Sequence, residues 1–208
     1  MQDLARQVPS AGSDDPAADE RIARRSRRLL LGYGLSLGVV AASPGIGRAE
    51  LPSSPASGDT VTIEEFAPNG QSKGRVMVPR VVKTDTEWRR QLSLLAYTVT
   101  RRDGTELAFS GRYDKNHADG LYSCICCATV LFDSRTKFDS GTGWPSFWQP
   151  ISRLNVVERG DNSLGMQRVA VSCRRCDAHL GHVFDDGPRP TGLRYCMNSV
   201  ALNFTPRA

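Results

Sequence analysis

The sequence of 208 residues predicts a mainly β protein with antiparallel strands and short helices ahead of them. From residue 97 onward, short runs of β-branched and aromatic residues alternate with Gly, Asp and Pro, which is the pattern of strands joined by turns. Before these runs, the residues that follow Thr84 repeat their apolar side chains at helical spacing. Two pairs of cysteines, separated by 45 residues, add the expectation of a structural zinc site.

Residues 1–49 differ in composition from the rest of the chain and predict an export signal. Arginines cluster over 21–28, an apolar stretch follows over 29–42, and small residues end the segment at 47–49. The apolar stretch holds fourteen residues, which are too few for a permanent membrane span.

The Arg27-Arg28 pair, placed directly before the apolar stretch, is similar to the twin-arginine type of signal. It predicts a periplasmic protein that crosses the membrane already folded. The alternatives for this segment are an uncleaved membrane anchor, or a misplaced start codon in front of a shorter signal. The alternative locations of the protein are the cytoplasm or attachment to the membrane.

The charge of the chain gives no reason to expect a nucleic-acid partner. Seven of the 27 Lys and Arg residues and five of the 22 Asp and Glu residues lie in 1–49, so the remainder carries a net charge of about +3. That charge is small, and its signs are interspersed along the sequence. A remainder of this length is sufficient for one sizeable core.

Residues 50–78 are rich in Ser and Pro and predict a linker with one short strand at 61–63. The folded domain is expected over 79–208. Its first helix begins at Thr84, which forms a Thr-x-x-Glu capping box with Glu87. The apolar positions of this helix are Trp88, Leu92 and Leu95.

The strands are expected wherever β-branched and aromatic residues cluster between turn residues. The expected strands are 97–100, 121–124, 130–132, 156–158, 167–172, 180–184 and 194–202. A turn is expected at 160–163.

Two cysteine pairs, Cys124 with Cys127 and Cys173 with Cys176, each place two thiolates on a tight turn. Four thiolates satisfy a tetrahedral Zn²⁺, and a closed site of this kind stabilises a fold instead of catalysing a reaction. The alternative is a pair of disulfides, as in many exported domains. Export of a folded protein favours zinc, because the thiols would meet the metal while still reduced. Cys126 is then a spare, partly buried residue.

Three further blocks carry residues suited to thiol chemistry. The first is a loop with the sequence GTGWPSF, which holds Trp144 ahead of a proline. The second, HLGHVFDDGP, carries His179 and His182, and the third, RYCMNS, carries Cys196 outside both cysteine pairs. Taken singly, the tryptophan would be a core residue, the histidines could replace cysteines as zinc ligands, and the remaining cysteine could be structural.

Together these blocks resemble the motifs of the type B methionine-R-sulfoxide reductases, over residues 84–204. The resemblance implies two antiparallel β-sheets with short helices, one structural zinc ion away from the active site, and reduction of the R epimer of methionine sulfoxide in proteins. His117, in a loop rich in Asn, Asp and Gly, is expected to be exposed without a role.

The resemblance also implies a role for each site residue. Cys196 would attack the sulfoxide sulfur as a thiolate and become a sulfenic acid. His182 would protonate the departing oxygen, and His179 would position a water or share that proton. Asn198 would hydrogen-bond in this network, and Trp144 would offer an apolar face to the substrate methyl group.

Arg194 is expected to contribute to substrate binding and, with a nearby imidazole, to favour the thiolate of Cys196. If residues 194–198 form a strand, Arg194, Cys196 and Asn198 share one face, because side chains alternate along a strand.

Two positions depart from the pattern of this family. Many relatives carry a resolving cysteine where this chain has Thr142, and an acidic residue where it has Ala170. Threonine cannot form a disulfide, so recycling needs an external thiol, a thioredoxin-like partner acting on the sulfenate, or Cys126 as a substitute.

The partners expected from the sequence are oxidised proteins and a thioredoxin-like reductant, and a monomer is expected. Two rival functions stay open at this stage. One is a zinc-stabilised β module that binds a partner and keeps an inert Cys196. The other is an enzyme that acts mainly on free methionine sulfoxide.

Overall fold

A computed structural model describes residues 59–162 and 167–207, and the predicted export signal lies outside this part of the chain. The described residues form eleven strands and two α-helices, and all the strand pairs are antiparallel, as predicted. In chain order the elements are β1 (Thr60–Phe66), β2 (Ser72–Pro79), α1 (Asp85–Gln91), α2 (Leu94–Arg102), β3 (Gly120–Cys124), β4 (Val130–Asp133), β5 (Lys137–Phe138), β6 (Ser146–Phe147), β7 (Val156–Asp161), β8 (Arg168–Cys173), β9 (His179–Phe184), β10 (Arg194–Met197) and β11 (Leu202–Pro206).

Two sheets form the body of the fold, as the family resemblance implies. One has six strands in the order β5-β6-β10-β9-β8-β7, and the other has three in the order β11-β3-β4. Aromatic side chains join them. Phe132 of β4 stacks on Phe147 of β6 with ring centroids 4.4 Å apart, and Tyr122 of β3 meets the same ring at 5.1 Å. All three rings are fully buried, so the core lies between the two sheets.

A third sheet, the hairpin of β1 and β2, occupies most of the segment predicted as a linker. The linker prediction is therefore wrong over residues 60–78, although the short strand expected at 61–63 lies within β1. Asn155, which is fully buried, accepts from the backbone N–H of Glu64 and donates to its carbonyl, at 2.8 and 2.9 Å. Ile63 is buried beside this contact. The hairpin is held by a residue far along the chain, which local sequence patterns do not reveal.

Helix α1 begins as predicted. The Thr84 side chain accepts from the backbone N–H of Glu87, and the Glu87 carboxylate accepts from the backbone N–H of Thr84, so the capping box is complete. Trp88 is buried. The predicted strand at 97–100 is wrong, because these residues lie in α2, whose first turn is capped by Ser93. Burial of one face of α2 outweighs the strand propensity of its Tyr, Thr and Val residues.

The predicted strand at 194–202 is split into β10 and β11 by a short 3-10 helix at Ser199–Ala201. Likewise, Gly160 and Asp161 belong to β7 and not to the predicted turn. The other five expected strands coincide with β3, β4, β7, β8 and β9 to within three residues at each end. Within the described ranges, no helix has the length and apolar character that a membrane span requires.

Candidate functional site

The candidate site lies on one face of the six-stranded sheet. Cys196 of β10 is paired with Ser146 of β6 on one side and with His182 of β9 on the other. His182 is paired in turn with Ala170 of β8. Residues directly opposite each other in a sheet point to the same face, so these four side chains form a row. Tyr195, one residue before the thiol, points into the core, as the alternation along a strand requires.

A β-bulge in β9 brings a second histidine to this face. The pairing of β8 with β9 shifts between Val171 and Ser172, so Leu180 is an extra residue in β9. In a regular strand, the side chains of His179 and His182, which are three residues apart, would point to opposite faces. Instead, their imidazole rings lie edge to face with centroids 5.2 Å apart.

A cavity of about 130 Å³ opens beside this row of side chains. Water occupies roughly 30 Å³ per molecule in the liquid, so the cavity has room for a small group such as a methyl sulfoxide. Of the residues predicted for the site, the cavity is lined by Cys196, His182, Trp144 and Asn198. His179 and Arg194 do not line it. The other lining residues are Thr105, Arg168, Gly181, Phe184 and Met197.

The Cys196 thiol is half-buried, and its surroundings favour the neutral form. Burial is the largest influence and raises the pKa of the Cys196 thiol, whereas Thr142, Arg194 and Ser146 act in the opposite direction. Arg194 thus favours the thiolate, as expected, but burial outweighs it. The free protein therefore carries less thiolate at neutral pH than an unperturbed cysteine would.

A chain of hydroxyl groups ends at this sulfur. The Ser140 hydroxyl lies 2.7 Å from that of Ser146 and 2.8 Å from that of Thr142. The Thr142 hydroxyl oxygen lies 3.8 Å from the Cys196 sulfur. A thiolate formed in the cavity would therefore meet hydroxyl donors on the side of the GTGWPSF loop.

The two histidines have different electrostatic surroundings. Nε2 of His182 lies 2.8 Å from a carboxylate oxygen of Asp161. His179 is almost fully buried, and its Nε2 has no hydrogen-bond partner among the described residues. Burial lowers the pKa of the His179 imidazole, and the nearby His182 lowers it further. At neutral pH, His179 is therefore held in its uncharged form.

Glu106, which the sequence analysis did not single out, positions two residues that line the cavity. Its backbone carbonyl accepts from Nε1 of Trp144 at 3.1 Å, and its backbone N–H donates to Oδ1 of Asn198 at 2.9 Å. Its buried carboxylate accepts from the N–H groups of Ser199 and Val200, at 2.6 and 2.9 Å. These two bonds satisfy backbone N–H groups at the start of the 3-10 helix that follows β10.

Asn198 and Arg194 are both held by contacts outside the cavity. Nδ2 of Asn198 donates to the backbone carbonyl of Leu180 at 3.0 Å. Arg194 makes a two-pronged ion pair with Asp186, with both N–O distances at 2.8 Å, and its guanidinium stacks over Phe184 at 4.3 Å. Arg194 therefore acts on the thiol through its charge and through a hydrogen bond, and it does not form the wall of the cavity.

Two turns of the same geometry carry the four predicted metal ligands. In each turn, the backbone N–H of the first cysteine donates to the carbonyl of the residue five positions later. The carbonyl of the same cysteine accepts from the N–H of the residue four positions later. All these N–O distances are 2.8 or 2.9 Å. The residue after the second cysteine, Ala128 or Asp177, has a left-handed backbone with φ of 60° or 57°. The turns lie between β3 and β4 and between β8 and β9, so they bring the two sheets together.

The four sulfurs of these turns are spaced as a tetrahedral metal requires. Cys124 and Cys176 lie 3.6 Å apart, Cys127 and Cys173 lie 3.5 Å apart, and all four sulfurs are within 4.8 Å of one another. Zn–S bonds of about 2.3 Å in a tetrahedron separate the sulfurs by roughly 3.8 Å. The cluster can therefore hold such a metal.

Cys126 is buried beside this cluster and not beside the cavity. Its thiol interacts with Cys124, Cys176 and Thr100, and none of these lines the cavity that contains Cys196. His117 is exposed, as predicted.

Comparisons with known proteins identify the family of the chain. The model of the SelR domain matches residues 92–206. The peptide methionine sulfoxide reductase MsrB of Pseudomonas syringae pv. syringae (strain B728a) is 57% identical over 129 residues, which are 62% of this chain and 98% of that protein. The protein of the same name from Thioalkalivibrio sulfidiphilus is 62% identical over 123 residues, 58% of this chain and 88% of its own length. The chain therefore belongs to the methionine sulfoxide reductase B family, over the SelR domain that carries both the cavity and the cysteine cluster.

Proposed function

We propose that the protein reduces the R epimer of methionine sulfoxide in oxidised proteins, with Cys196 as the nucleophile. As a member of its family, the chain is a peptide methionine sulfoxide reductase. The observation that carries the finer proposal is the cavity itself, in which a thiol, an imidazole and an indole converge on a space that fits one methyl sulfoxide.

In the proposed reaction, the Cys196 sulfur attacks the sulfoxide sulfur and forms a sulfur–sulfur bond, while the imidazole of His182 supplies a proton to the oxygen. The protonated oxygen then passes to the Cys196 sulfur as the sulfur–sulfur bond breaks. The methionine sulfur is reduced by two electrons and the Cys196 sulfur is oxidised by two, so the products are methionine and a cysteine sulfenic acid. His179 is neutral and buried, so it serves to position a water or a proton and not as a source of charge.

Trp144 supports the choice of epimer in this proposal. Its indole lines the cavity, and its ring nitrogen is tied to Glu106 away from the thiol, so an apolar ring surface is available to the substrate. The two epimers differ in the positions of methyl and oxygen. An apolar wall on one side and the imidazole on the other therefore accept one arrangement better than its mirror image.

Steady-state reduction of R and S sulfoxide peptides with dithiothreitol tests this proposal. We expect methionine from the R peptide only, no activity in Cys196→Ser with its metal content unchanged, and a lower rate with an altered pH profile in His182→Ala. Reduction of the S peptide at the same rate would contradict the proposal. Free R-sulfoxide in a parallel assay distinguishes an enzyme that acts mainly on the free amino acid.

We further propose that an external thiol recycles the enzyme. Thr142 stands 3.8 Å from the Cys196 sulfur, at the position where many relatives have a resolving cysteine, and a hydroxyl cannot form the disulfide. In this route one thiol of a thioredoxin-like protein attacks the sulfenic acid, water leaves, and a second thiol resolves the mixed disulfide. Cys126 is not favoured as a substitute, because it is buried at the cysteine cluster.

Disulfide mapping of oxidised protein tests this route. We expect no intramolecular disulfide in the natural chain and a new 142–196 disulfide in Thr142→Cys, because the two side chains are already adjacent. A disulfide between Cys126 and Cys196 in the natural chain would contradict the proposal.

Zinc is the metal that we propose for the cysteine cluster. Cys124, Cys127, Cys173 and Cys176 would hold it with no open coordination position, so it would supply stability and no chemistry to the reaction. Metal analysis of the purified protein should give one zinc per chain. Two disulfides among these four cysteines would contradict the assignment.

Export to the periplasm by the twin-arginine route is proposed from the sequence of residues 1–49. The arginine pair, the short apolar stretch and the small residues that follow it support this proposal. Cell fractionation should find a shortened periplasmic form, and replacement of Arg27 and Arg28 by Lys should retain the precursor inside the cell. A full-length cytosolic protein in the natural strain would contradict export.

A further inference from the structure

A carboxylate on the edge strand of the six-stranded sheet reaches the site histidine. In the pairing of β7 with β8, Asp161 lies opposite Arg168, and Arg159 lies opposite Ala170. Ala170 lies opposite His182 in the next pair of strands. Asp161 therefore points to the same face as His182, two strands away and displaced along the sheet by two residues.

The contacts on this face are short and sheltered from solvent. One carboxylate oxygen of Asp161 lies 2.8 Å from Nε2 of His182 and 2.8 Å from the guanidinium of Arg168. The side chains of His182, Asp161 and Arg168 are 11%, 19% and 20% exposed. Charge-assisted hydrogen bonds are stronger when water is largely excluded, so this contact fixes the imidazole more firmly than a surface contact would.

The residue directly across from His182 explains why the carboxylate comes from a distance. Ala170 has only a methyl group, which offers no hydrogen bond and leaves the space above β8 open. Asp161 crosses this space diagonally. Arg168 also lines the cavity, so the ion pair that it makes with Asp161 connects the wall of the cavity to the imidazole.

From these contacts we infer that Asp161 is a positioning residue for His182, an inference that rests on the proposed reductase function. The carboxylate accepts from Nε2–H, which fixes the orientation of the ring beside Cys196. Arg168 holds the carboxylate in place. Asp161 does not line the cavity, so it acts on the substrate through the histidine and through its ion pair with Arg168.

The charged and titratable groups that face His182 come from three elements besides its own. On β7, Asp161 is negatively charged, and Arg159 points to the same face but pairs with Asp177 at 2.8 Å. Arg168 on β8 is positively charged and pairs with Asp161. His179 on β9 is held neutral by burial, and Cys196 on β10 is held as a thiol by burial. The Asp161 carboxylate is therefore the negative charge closest to the ring among the described residues that make contacts with it.

The test compares Asp161→Asn with Glu158→Gln. Both variants remove one negative charge from β7 with little change of shape. Glu158 points to the opposite face, where it accepts from the Tyr195 hydroxyl at 2.7 Å. We expect Asp161→Asn to lower kcat by at least about tenfold, with KM for an R-sulfoxide peptide within twofold of the natural enzyme.

Glu158→Gln should keep the natural kcat, and Asp161→Glu should recover part of the lost activity. An Asp161→Asn protein with the kcat of the natural enzyme would overturn the inference, as would an equal loss in both variants. If the natural enzyme reduces no sulfoxide at all, the proposed function fails instead, so the two failures are distinguishable.

A second measurement needs no variant. The chain has three histidines, so nitrogen NMR of histidine-labelled protein resolves each ring, and His182→Gln assigns the signal. We expect the neutral His182 ring to carry its proton on Nε2, where Asp161 accepts it. A proton on Nδ1 of the neutral ring would contradict the inference even if Asp161→Asn does not fold.

Discussion

At the scale of single residues, the reactivity of Cys196 depends on a balance between burial and a few polar neighbours. Burial raises the pKa of the thiol, and the strongest opposing influence is the hydroxyl of Thr142. A thiolate is the attacking form, so the reaction with an electrophile should accelerate as the pH rises, up to a midpoint above that of an ordinary cysteine.

Thr142→Val tests this balance, because it removes the hydroxyl and keeps the shape of the side chain. We expect the rate of Cys196 alkylation by iodoacetamide at pH 7.5 to fall about three- to tenfold, since a hydrogen bond to the thiolate is lost, and the midpoint of its pH profile to rise. Thr205→Val, at an exposed position in the other sheet, is the matched control and should react as the natural protein does. A faster reaction in Thr142→Val would show that the hydroxyl does not stabilise the thiolate.

At the scale of elements, the bulge in β9 and the close approach of β9 to β10 set the geometry of the site. Gly181 lies opposite Met197, and a Cβ atom there would overlap the backbone carbonyl of Cys196. Strand β9 can therefore lie this close to β10 only if residue 181 has no side chain. This contact fixes the distance between the histidines of one strand and the thiol of the next.

Gly181→Ala should force the two strands apart. We expect a loss of about 1–3 kcal/mol in the free energy of unfolding, together with a lower kcat, because His182 moves away from Cys196. Gly160→Ala in β7 is the control, since a Cβ atom there meets nothing within 4 Å. Urea unfolding followed by circular dichroism measures the free energy of unfolding of both variants. Equal stability would show that a Cβ atom at residue 181 fits between β9 and β10 without forcing them apart.

At the scale of the whole molecule, the cysteine cluster joins the two sheets. Its turns connect β3 with β4 in one sheet and β8 with β9 in the other, and β9 carries both site histidines. Metal bound there would hold the sheets together from one end, while the stacked aromatic rings hold them across the core. Loss of the metal should therefore weaken the whole domain and not only one loop.

Cys124→Ser tests this role of the metal. We expect zinc content near zero and a melting temperature lower by about 10 °C or more. Cys126→Ser is a matched control, because it changes a buried cysteine in the same turn that is not one of the four clustered ligands. It should keep one zinc per chain. Normal stability of metal-free Cys124→Ser would show that the cluster is dispensable for the fold.

Local sequence patterns were sufficient to predict much of this structure. The capping box at Thr84 and five strands were predictable because caps and alternation act over a few residues. The positions of Cys196 and Trp144 in one cavity followed from the family motifs. The hairpin at 60–79, the split after β10 and the contact of Asp161 with His182 were not predictable, because each depends on a partner far along the chain: Asn155, Glu106 and the strand register.

A single-turnover experiment without reductant tests the central claim most directly. Reduced, metal-loaded protein is mixed with excess R-sulfoxide peptide, and the methionine formed and the dimedone adduct of the protein are quantified by mass spectrometry. We expect about one methionine per chain, since no thiol is present to recycle the enzyme, with one adduct on Cys196. Neither should form in Cys196→Ser or with the S peptide. Methionine formed by Cys196→Ser, or a sulfenic acid found only on another cysteine, would contradict the account.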